Sequence, residues 1–467
     1  MPEIPISFLK GDAVDNRVDY RDQLPENMLG IARPIMGVDG YMWQQAGLEE
    51  FGGSYGNDRG GIWNERLSGH YRLSGNRFVE IDINGDYTEL GIINGNLQAA
   101  MPYSFNTQAI VAQGAYYLYD PTNGFRQVTD VDVGNPIDAT WIDGYYFFTD
   151  GETIYHTDID DEESINPLKF ATSEFSPDKT VGVGKTTDNK VIVFNRYTTE
   201  YFQNQANENF AFTRIPSRAI KYGLVATHLK CEIGGTWYFV GSGKEGTLDV
   251  YRLETGRPVS LASREVTKRL RVYSEDDLAN QVMEARVFDG NEGFIIHLPN
   301  ETLFFSVTLA QKVGVEMAWS LLTSPSANQY RAVNGIYDPR IDEWIYGDLV
   351  TNNLATLNDT IATQFGEEIS CQLNTPFFYI NSASIDEVNI ETIPGFNTVD
   401  DATVFLSLSY DGVVWSQEIS INYGSPGDYG KHFAAYRLGY VDGFVTMRLR
   451  WKGKSRMAFS RAVIVYA

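Results

Sequence analysis

The sequence predicts an all-β protein: a degenerate β-propeller of six or seven blades followed by a C-terminal β-sandwich module. Three observations carry that expectation. Aromatic residues make up 13% of the chain, with 28 Tyr and 26 Phe beside 43 Gly, a composition that suits short strands joined by tight turns. Seven segments repeat one design: a short apolar strand, a Gly/Asp/Asn turn, and a second strand rich in aromatic or β-branched residues. The turns recur at blade-like intervals, although neither a Trp-Asp nor a kelch signature repeats.

The first three segments are residues 71–79, 110–118 and 139–148, turning at Gly75, Gly114 and Gly144. The fourth turns at Asp188-Asn189 before Val191-Ile192-Val193-Phe194, and the fifth at Gly234-Gly235 before Trp237-Tyr238-Phe239-Val240. The sixth turns around Gly290 before Phe294-Ile295-Ile296, and the seventh around Arg340 before Trp344-Ile345-Tyr346. Several carry the Asp-Gly or Gly-Gly pair that a tight hairpin needs. The spacings between markers are 39, 30, 44, 47, 55 and 50 residues, against roughly 40–50 for a four-stranded blade. A pair of β-sandwiches is the competing architecture. One short helical insert is expected near residues 274–285: Ser274 with Asp277 reads as a capping-box start, and Leu278 and Val282 share a face at i, i+4.

From about Ile369 the texture changes to longer strands, at 372–380, 385–392, 404–409, 418–423, 444–451 and 458–466. About a hundred residues of this kind are sandwich-sized. The expected division is therefore a propeller body over residues 1–365 and a β-sandwich over 366–467, joined through the polar stretch 351–368.

Charge narrows the function classes. There are 37 Lys and Arg against 61 Asp and Glu, a formal net charge of −24. Such a chain is ill suited to gripping phosphate backbones, which requires Lys/Arg neutralisation, yet it suits a surface that DNA slides past. Cys231 and Cys371 are the two cysteines, too few for a disulfide scaffold or a cysteine-built metal site. The first ten residues do not read as a signal peptide, and no apolar run has the length of a membrane span.

Several motifs have chemical readings, each weighed against a plainer one. Gly182-Val183-Gly184-Lys185-Thr186-Thr187 echoes a phosphate loop, but Lys179 occupies the position of the required leading Gly and a strand follows, so a hairpin turn is expected. Ser409-Tyr410-Asp411-Gly412-Val413-Val414-Trp415 resembles an aspartate-box turn of sialidase-like propellers, but its Asp and Gly are adjacent and it occurs once. The acidic clusters at 82–86, 130–132 and 158–163 read as solvated turns, since none completes a calcium loop. His70, His156, His228, His297 and His432 are scattered without zinc spacing or triad context, and His297 lies inside a strand. Arg257, Arg264, Lys268, Arg269 and Arg271, with Arg214, Arg218 and Lys221 upstream, form the densest basic stretch and favour subunit contact over internal ion pairing. No catalytic, cofactor-binding or metal-ligating residue is nominated, and no cofactor is expected.

The residues also carry a resemblance. Asp19-Tyr20-Arg21-Asp22-Gln23-Leu24-Pro25-Glu26-Asn27-Met28-Leu29 and Gly40-Tyr41-Met42 resemble the start of the tail-hub, or packaged-DNA stabilisation, family of short-tailed phages of enteric bacteria. The likeness continues, in the same order, at Thr157-Asp158-Ile159-Asp160-Asp161-Glu162, Gly182-Val183-Gly184, Thr199-Glu200-Tyr201-Phe202, Tyr273-Ser274-Glu275, Val282-Met283-Glu284 and Phe294-Ile295-Ile296-His297-Leu298-Pro299. It is vaguer in the terminal module, around Leu406-Ser407 and Asp411-Gly412.

The resemblance implies a non-enzymatic virion protein of the tail, assembled in the host cytoplasm. It implies a homo-hexamer ring (a nozzle) beneath the portal-adaptor, or head-to-tail connector, protein. That ring closes and extends the DNA channel, retains packaged DNA until ejection, and docks a tail plug or needle and tailspikes or fibres. Double-stranded DNA would pass through it without specific binding, and no membrane span is implied. The alternative reading is a carbohydrate-active propeller, either lectin or glycosidase. The latter would need two carboxylates held a few ångströms apart.

Overall fold

A computed structural model of the chain describes residues 2–14, 20–34, 38–159, 161–173, 175–254, 257–325, 327–392 and 402–467. Asp19 and Asp160, quoted above for the resemblance, lie outside the described residues. Strands dominate the fold and fall into seven propeller blades, one further two-layered β module and a separate strand pair, Gly11–Val14 with Tyr20–Gln23.

Blade 1 is Asp58–Asn64, Gly69–Ser74, Arg77–Ile81 and Tyr87–Ile92, each strand antiparallel to the next. Blade 2 has three full strands, Gln108–Ala112, Ala115–Asp120 and Gly124–Gln127; its inner edge survives as the bridges Ala100 to Val111 and Tyr103 to Gln108. Blade 3 spans Asp138–Ile142 to Asp161–Ala171, and blade 4 Thr180–Lys185 to Phe212–Arg214. In blade 5 the inner strand is split: Gly223–Leu224 and Lys230–Ile233 both pair with Thr236–Ser242. Blade 6 runs from Met283–Phe288 to Trp319–Leu322.

Blade 7 closes the ring. Its first three strands are Ala332–Asp338, Glu343–Asp348 and Leu354–Asn358, and its fourth, Gly47–Gly52, comes from before blade 1. Seven blades therefore settle the count that the marker spacings left at six or seven. Each marker sits in one hairpin of its own blade. The short interval of 30 between Gly114 and Gly144 has a structural cause. Gly114 follows the second position of blade 2, whose first strand is reduced to bridges, while Gly144 follows the first strand of blade 3.

Second strands such as Tyr145–Thr149 and Val191–Asn195 are buried at every position. Covered on both faces by neighbouring blades, they read as continuous apolar runs rather than alternations. Separate apolar cores lie between successive blades, for example Tyr116, Leu118, Tyr146 and Phe148 between blades 2 and 3. The seam between blades 7 and 1 holds the least apolar surface, with Val79, Ile81, Ile345 and Leu354 as its buried core. A polar network fills the rest. Arg72 is fully buried; its Nε donates to Asp58 (2.8 Å), its Nη2 to the Asn334 carbonyl (2.7 Å) and its Nη1 to the Ile345 carbonyl (3.1 Å). The same Nη1 lies 3.2 Å from His70 Nε2, and His70 Nδ1 lies 3.3 Å from Asp338. Arginine can only donate, so His70 accepts at Nε2 and donates to Asp338 from Nδ1. The ring is held as one neutral tautomer.

The helical insert differs from the expectation. Ser274 and Asp277 do form a reciprocal capping box, but the helix is the single turn Glu275–Leu278 and Val282 lies beyond it. One turn is too short to hold without tertiary support; here Leu278 is buried in the core shared by blades 4 to 6. Of two further helices, Arg264–Leu270 follows blade 5 and Val307–Val313 lies between the last two strands of blade 6. Both are capped by serines, Ser263 and Ser306.

In the C-terminal module, Phe378–Thr392 pairs with Ala434–Lys452 on one side and Ala458–Tyr466 on the other. The 19-residue strand Ala434–Lys452 serves two layers: its first half pairs with Phe378–Thr392, its second with Ala402–Ser409 and Ser370–Asn374. One core lies between the layers, with Val388, Ile390, Val404, Leu406, Met447 and Ile464 in it. The chain's first strands also belong to this sheet. Glu3–Ser7 pairs along Ala458–Tyr466, whose other end meets Tyr41–Gln44, itself paired with Met28–Ile31. Within residues 1–365, blade strands thus begin at Gly47.

Asn27 joins the two bodies. It is fully buried with a φ of 56°, a left-handed conformation that Asn adopts more readily than most residues. Its Oδ1 accepts from Gln45 Nε2 (3.0 Å) and the Thr323 amide (2.8 Å), while Nδ2 donates to Thr323 Oγ1 (2.6 Å) and the Ser370 carbonyl (2.8 Å).

Two outcomes follow from these networks. Asn27→Ala strands several buried polar partners and should cost about 2–4 kcal/mol, read as a fall in urea midpoint at unchanged slope; a loss within experimental error would dispose of the junction role. Burial, partly offset by the Asp338 hydrogen bond, brings His70 down to about 4, while an unfolded histidine titrates near ~6.5. The unfolded chain therefore binds the proton first, and stability falls as pH drops from ~6.5 to ~4. Asp338, whose own burial is outweighed by hydrogen bonds from His70 and Arg340, sits well below the usual carboxylate range, so its contribution is lost at still lower pH. His156 and His228 are also depressed by burial, so His70→Gln isolates one share: it should remove about one proton from the pH dependence of unfolding between those limits, and an unchanged slope would refute the assignment.

Candidate functional site

The motifs with chemical readings turn out to build the fold. Gly182 and Gly184 lie in the inner strand of blade 4, Thr180–Lys185, which turns back into Val191–Asn195. A Cβ on Gly184 would sit 2.5 Å from the Trp237 ring, so close packing is what requires glycine there. Lys185 Nζ lies 5.5 Å from the centre of the Trp141 ring, and Thr186 Oγ1 closes the turn by donating to Asp188 (2.6 Å) and accepting from the Lys190 amide (2.9 Å). A hollow of about 300 Å³ lies beside this turn, but its cation, Arg218, is already paired with Asp188 at 3.0 Å.

Asp411 accepts from the Val413 and Val414 amides, both at 2.8 Å, a self-contained turn. Asp82 takes the Asn84 and Asp86 amides at 2.8 and 2.9 Å, and Asp158 pairs with Lys169 at 2.6 Å. Among the described residues, no three His, Cys, Asp or Glu side chains gather as a metal site, and no helix is long and apolar enough to cross a membrane.

His70 and His297 each join neighbouring blades. His70 and Asp338 share the geometry of a histidine and its orienting carboxylate, but the remaining ring nitrogen faces Arg72 instead of a nucleophile. His297 is buried in its strand with Nε2 2.8 Å from Glu284, whose other oxygen accepts from the Gly335 amide. This pair stitches blade 6 to blade 7. In the basic stretch, Arg269 pairs with Glu265 and Glu301, Arg218 with Asp188 and Arg214 with Glu200. Internal pairing therefore uses part of the cluster assigned above to subunit contact, while Arg257 and Lys221 stay exposed.

Two surfaces among the described residues are suited to recognition. One is an aromatic stripe on the C-terminal module. Tyr379 and Phe444 lie opposite each other in register with rings 5.3 Å apart, and Tyr436 and Tyr440 continue along the same long strand; all four are more than half exposed. Exposed apolar side chains grouped in this way mark interaction surfaces in soluble proteins.

The other is a cleft of about 800 Å³ where blades 6 and 7, the strands Met28–Ile31 and Gly47–Gly52, and the loop around Arg456 meet. Leu29, Phe288, Trp344 and Leu357 provide its apolar wall. Arg456 is held at one end: its guanidinium donates to the Gln44 carbonyl (2.9 Å) and to Asp359 (2.7 Å) and stacks on Trp43. Burial, partly offset by Asp359, lowers it to about 10. Sequence reasoning missed this cleft because its residues come from four distant segments. The readable signal was Arg286, which with Glu284 puts charge into the strand Met283–Phe288.

Comparison with known proteins fits this architecture. Residues 2–362 match the family model described as the β-propeller of bacteriophage P22 Gp10, and residues 370–466 the one described as its β-sandwich. The tail hub protein gp10 of Salmonella phage P22 is 26% identical over 482 aligned positions, covering 98% of each chain. Among solved structures, virginiamycin B lyase from Staphylococcus aureus is similar at a TM-score of 0.44, with 10% identity over 67% of this chain and 98% of that one. The Pan2 WD40 domain of Neurospora crassa is similar at 0.41, with 7% identity over 68% and 97%. That relative is described as a tail hub protein. With both modules matched in order along nearly the whole chain, the protein belongs to the P22 Gp10 family of bacteriophage tail hub proteins and is a structural component of the virion tail.

Proposed function

We propose that the chain forms a homo-hexameric ring below the portal-adaptor of its virion, extends and closes the DNA channel there, and retains packaged DNA until ejection. The same ring would seat the tail plug or needle and the tailspikes or fibres. The observation that carries this reading is the similarity to a tail hub protein over 98% of both chains; no motif or cavity taken alone would support it.

The physical properties agree. A closed seven-bladed ring with cores between blades is a rigid body, and a ring of such bodies needs two different, complementary flanks on each subunit. The exposed Tyr379, Tyr436, Tyr440 and Phe444 give the C-terminal module a surface suited to one of those contacts. A net charge of −24 lets DNA pass a channel wall without adhering, because phosphates are repelled rather than neutralised.

The test is the mass of the purified chain by light scattering, alone and after mixing with its phage's portal–adaptor complex, with electron-microscope images of the product. A six-fold ring seated on the adaptor is the expected result; a monomer that ignores the complex would overturn the proposal. In the same assay, Tyr379→Ser with Phe444→Ser should weaken ring formation while lowering the melting temperature only slightly, since both side chains are more than half exposed and lose one cross-strand ring contact. Undiminished ring assembly would remove the stripe from the interface.

A further inference from the structure

The cleft between blades 6 and 7 and the Arg456 loop has a charge arrangement that the fold does not explain. Arg286 lines it and is 1% exposed, yet its Nε and Nη1 have no hydrogen-bond partner, and among the described residues no carboxylate forms a salt bridge with it. Its cationic face meets the Phe288 ring at 5.4 Å. The buried hydroxyl of Tyr346 near it is also without a hydrogen-bond partner. A buried guanidinium left in this state is costly, and evolution usually satisfies it or replaces it with an apolar residue.

The rim has the opposite sign. Glu49, Asp289, Asp342, Glu343 and Asp359 line the mouth and are exposed. Asp359 is engaged by Arg456 and Asp342 by the Tyr337 hydroxyl. Among the described residues no cation pairs with Glu343; desolvation and then the fields of Asp359, Asp342 and Glu49 raise it above the usual carboxylate range. Between floor and rim stand Leu29, Phe288, Trp344 and Leu357. An anion is therefore favoured at the floor, where the low dielectric strengthens the interaction, and a cation at the solvated rim.

We propose that this cleft binds a short segment of a partner polypeptide that places an Asp or Glu carboxylate on Arg286, an apolar side chain against Phe288 and Trp344, and a Lys or Arg at the acidic rim. A volume of about 800 Å³ is within the usual range for a specific binding pocket. The inference goes beyond the hub assignment, since the cleft is complete within one chain and does not require ring formation.

The experiment uses the full chain and three capped tripeptides, acetyl-Lys-Phe-Asp-amide, acetyl-Lys-Phe-Asn-amide and acetyl-Gln-Phe-Asp-amide, with affinities from saturation-transfer NMR. The first should bind about tenfold more tightly than either of the others. Arg286→Met should abolish the preference for Asp over Asn, and Glu343→Gln, on the exposed rim, should reduce the preference for Lys over Gln. A structural role for Arg286 would not produce that split. Equal affinities for the three peptides, or no binding of the first at millimolar concentration, would overturn the proposal even if Arg286→Met fails to fold. Displacement of the first peptide by equimolar inorganic phosphate would overturn it in favour of a general anion site.

Discussion

Ring closure through Gly47–Gly52 is the constraint from which most of the remaining structure follows. A propeller is a circular array built from a linear chain, so one blade must combine strands from both ends of the repeat region. Here that strand pairs along Leu354–Asn358, with Leu48 opposite Leu357 and Gly47 opposite Asn358. Its ends are crowded: a Cβ on Gly47 would come within 2.5 Å of the Thr363 carbonyl oxygen, and one on Gly52 within 2.2 Å of the Gly85 carbonyl oxygen. Closing the ring also draws the preceding strands toward the C-terminus. Tyr41–Gln44 and Met28–Ile31 then complete the sheet of the terminal module, so the two bodies share the chain's beginning.

The two joints created by this arrangement are polar where the inter-blade cores are apolar. At the seam of blades 7 and 1, Arg72, His70, Asp58 and Asp338 satisfy one another around a small hydrophobic core. At the junction of propeller and C-terminal module, Asn27 makes four side-chain hydrogen bonds to three separate segments. Apolar packing is tolerant of register, whereas a satisfied polar network has one low-energy geometry, because each misplaced donor or acceptor remains buried and unpaired. Such networks suit joints that must form once and in one way. Arg286 is the exception: a buried charge whose Nε and Nη1 no such network satisfies.

Much of the fold was legible in the sequence because each blade depends on a local hairpin. Gly75, Gly114, Gly144, Asp188, Gly235, Gly290 and Arg340 each mark one blade, since tight turns need particular residues at particular positions. The marker interval of 30 was harder to interpret, because the reduced inner strand of blade 2 shows only when its neighbours are in place. Leu278 and Val282 pointed to a longer helix than the single turn that forms; beyond Leu278 the chain is taken into blade 6, and Met283 begins a strand. The basic stretch misled for a related reason. The partners of Arg269, Arg218 and Arg214 are brought to them by sheet pairing and by contacts between blades.

By itself, the sequence determined the all-β class, the hairpin repeat and the change of texture near Ile369. These depend on short-range turn chemistry and on composition, which act before distant residues meet. Only the tertiary structure decided the blade number, the origin of the closing strand, the sharing of the N-terminal strands, and the cleft that places Arg286 beneath an acidic rim. Each of these is a contact between segments far apart in the chain. Their energy comes from burial and pairing that exist only once the ring has closed.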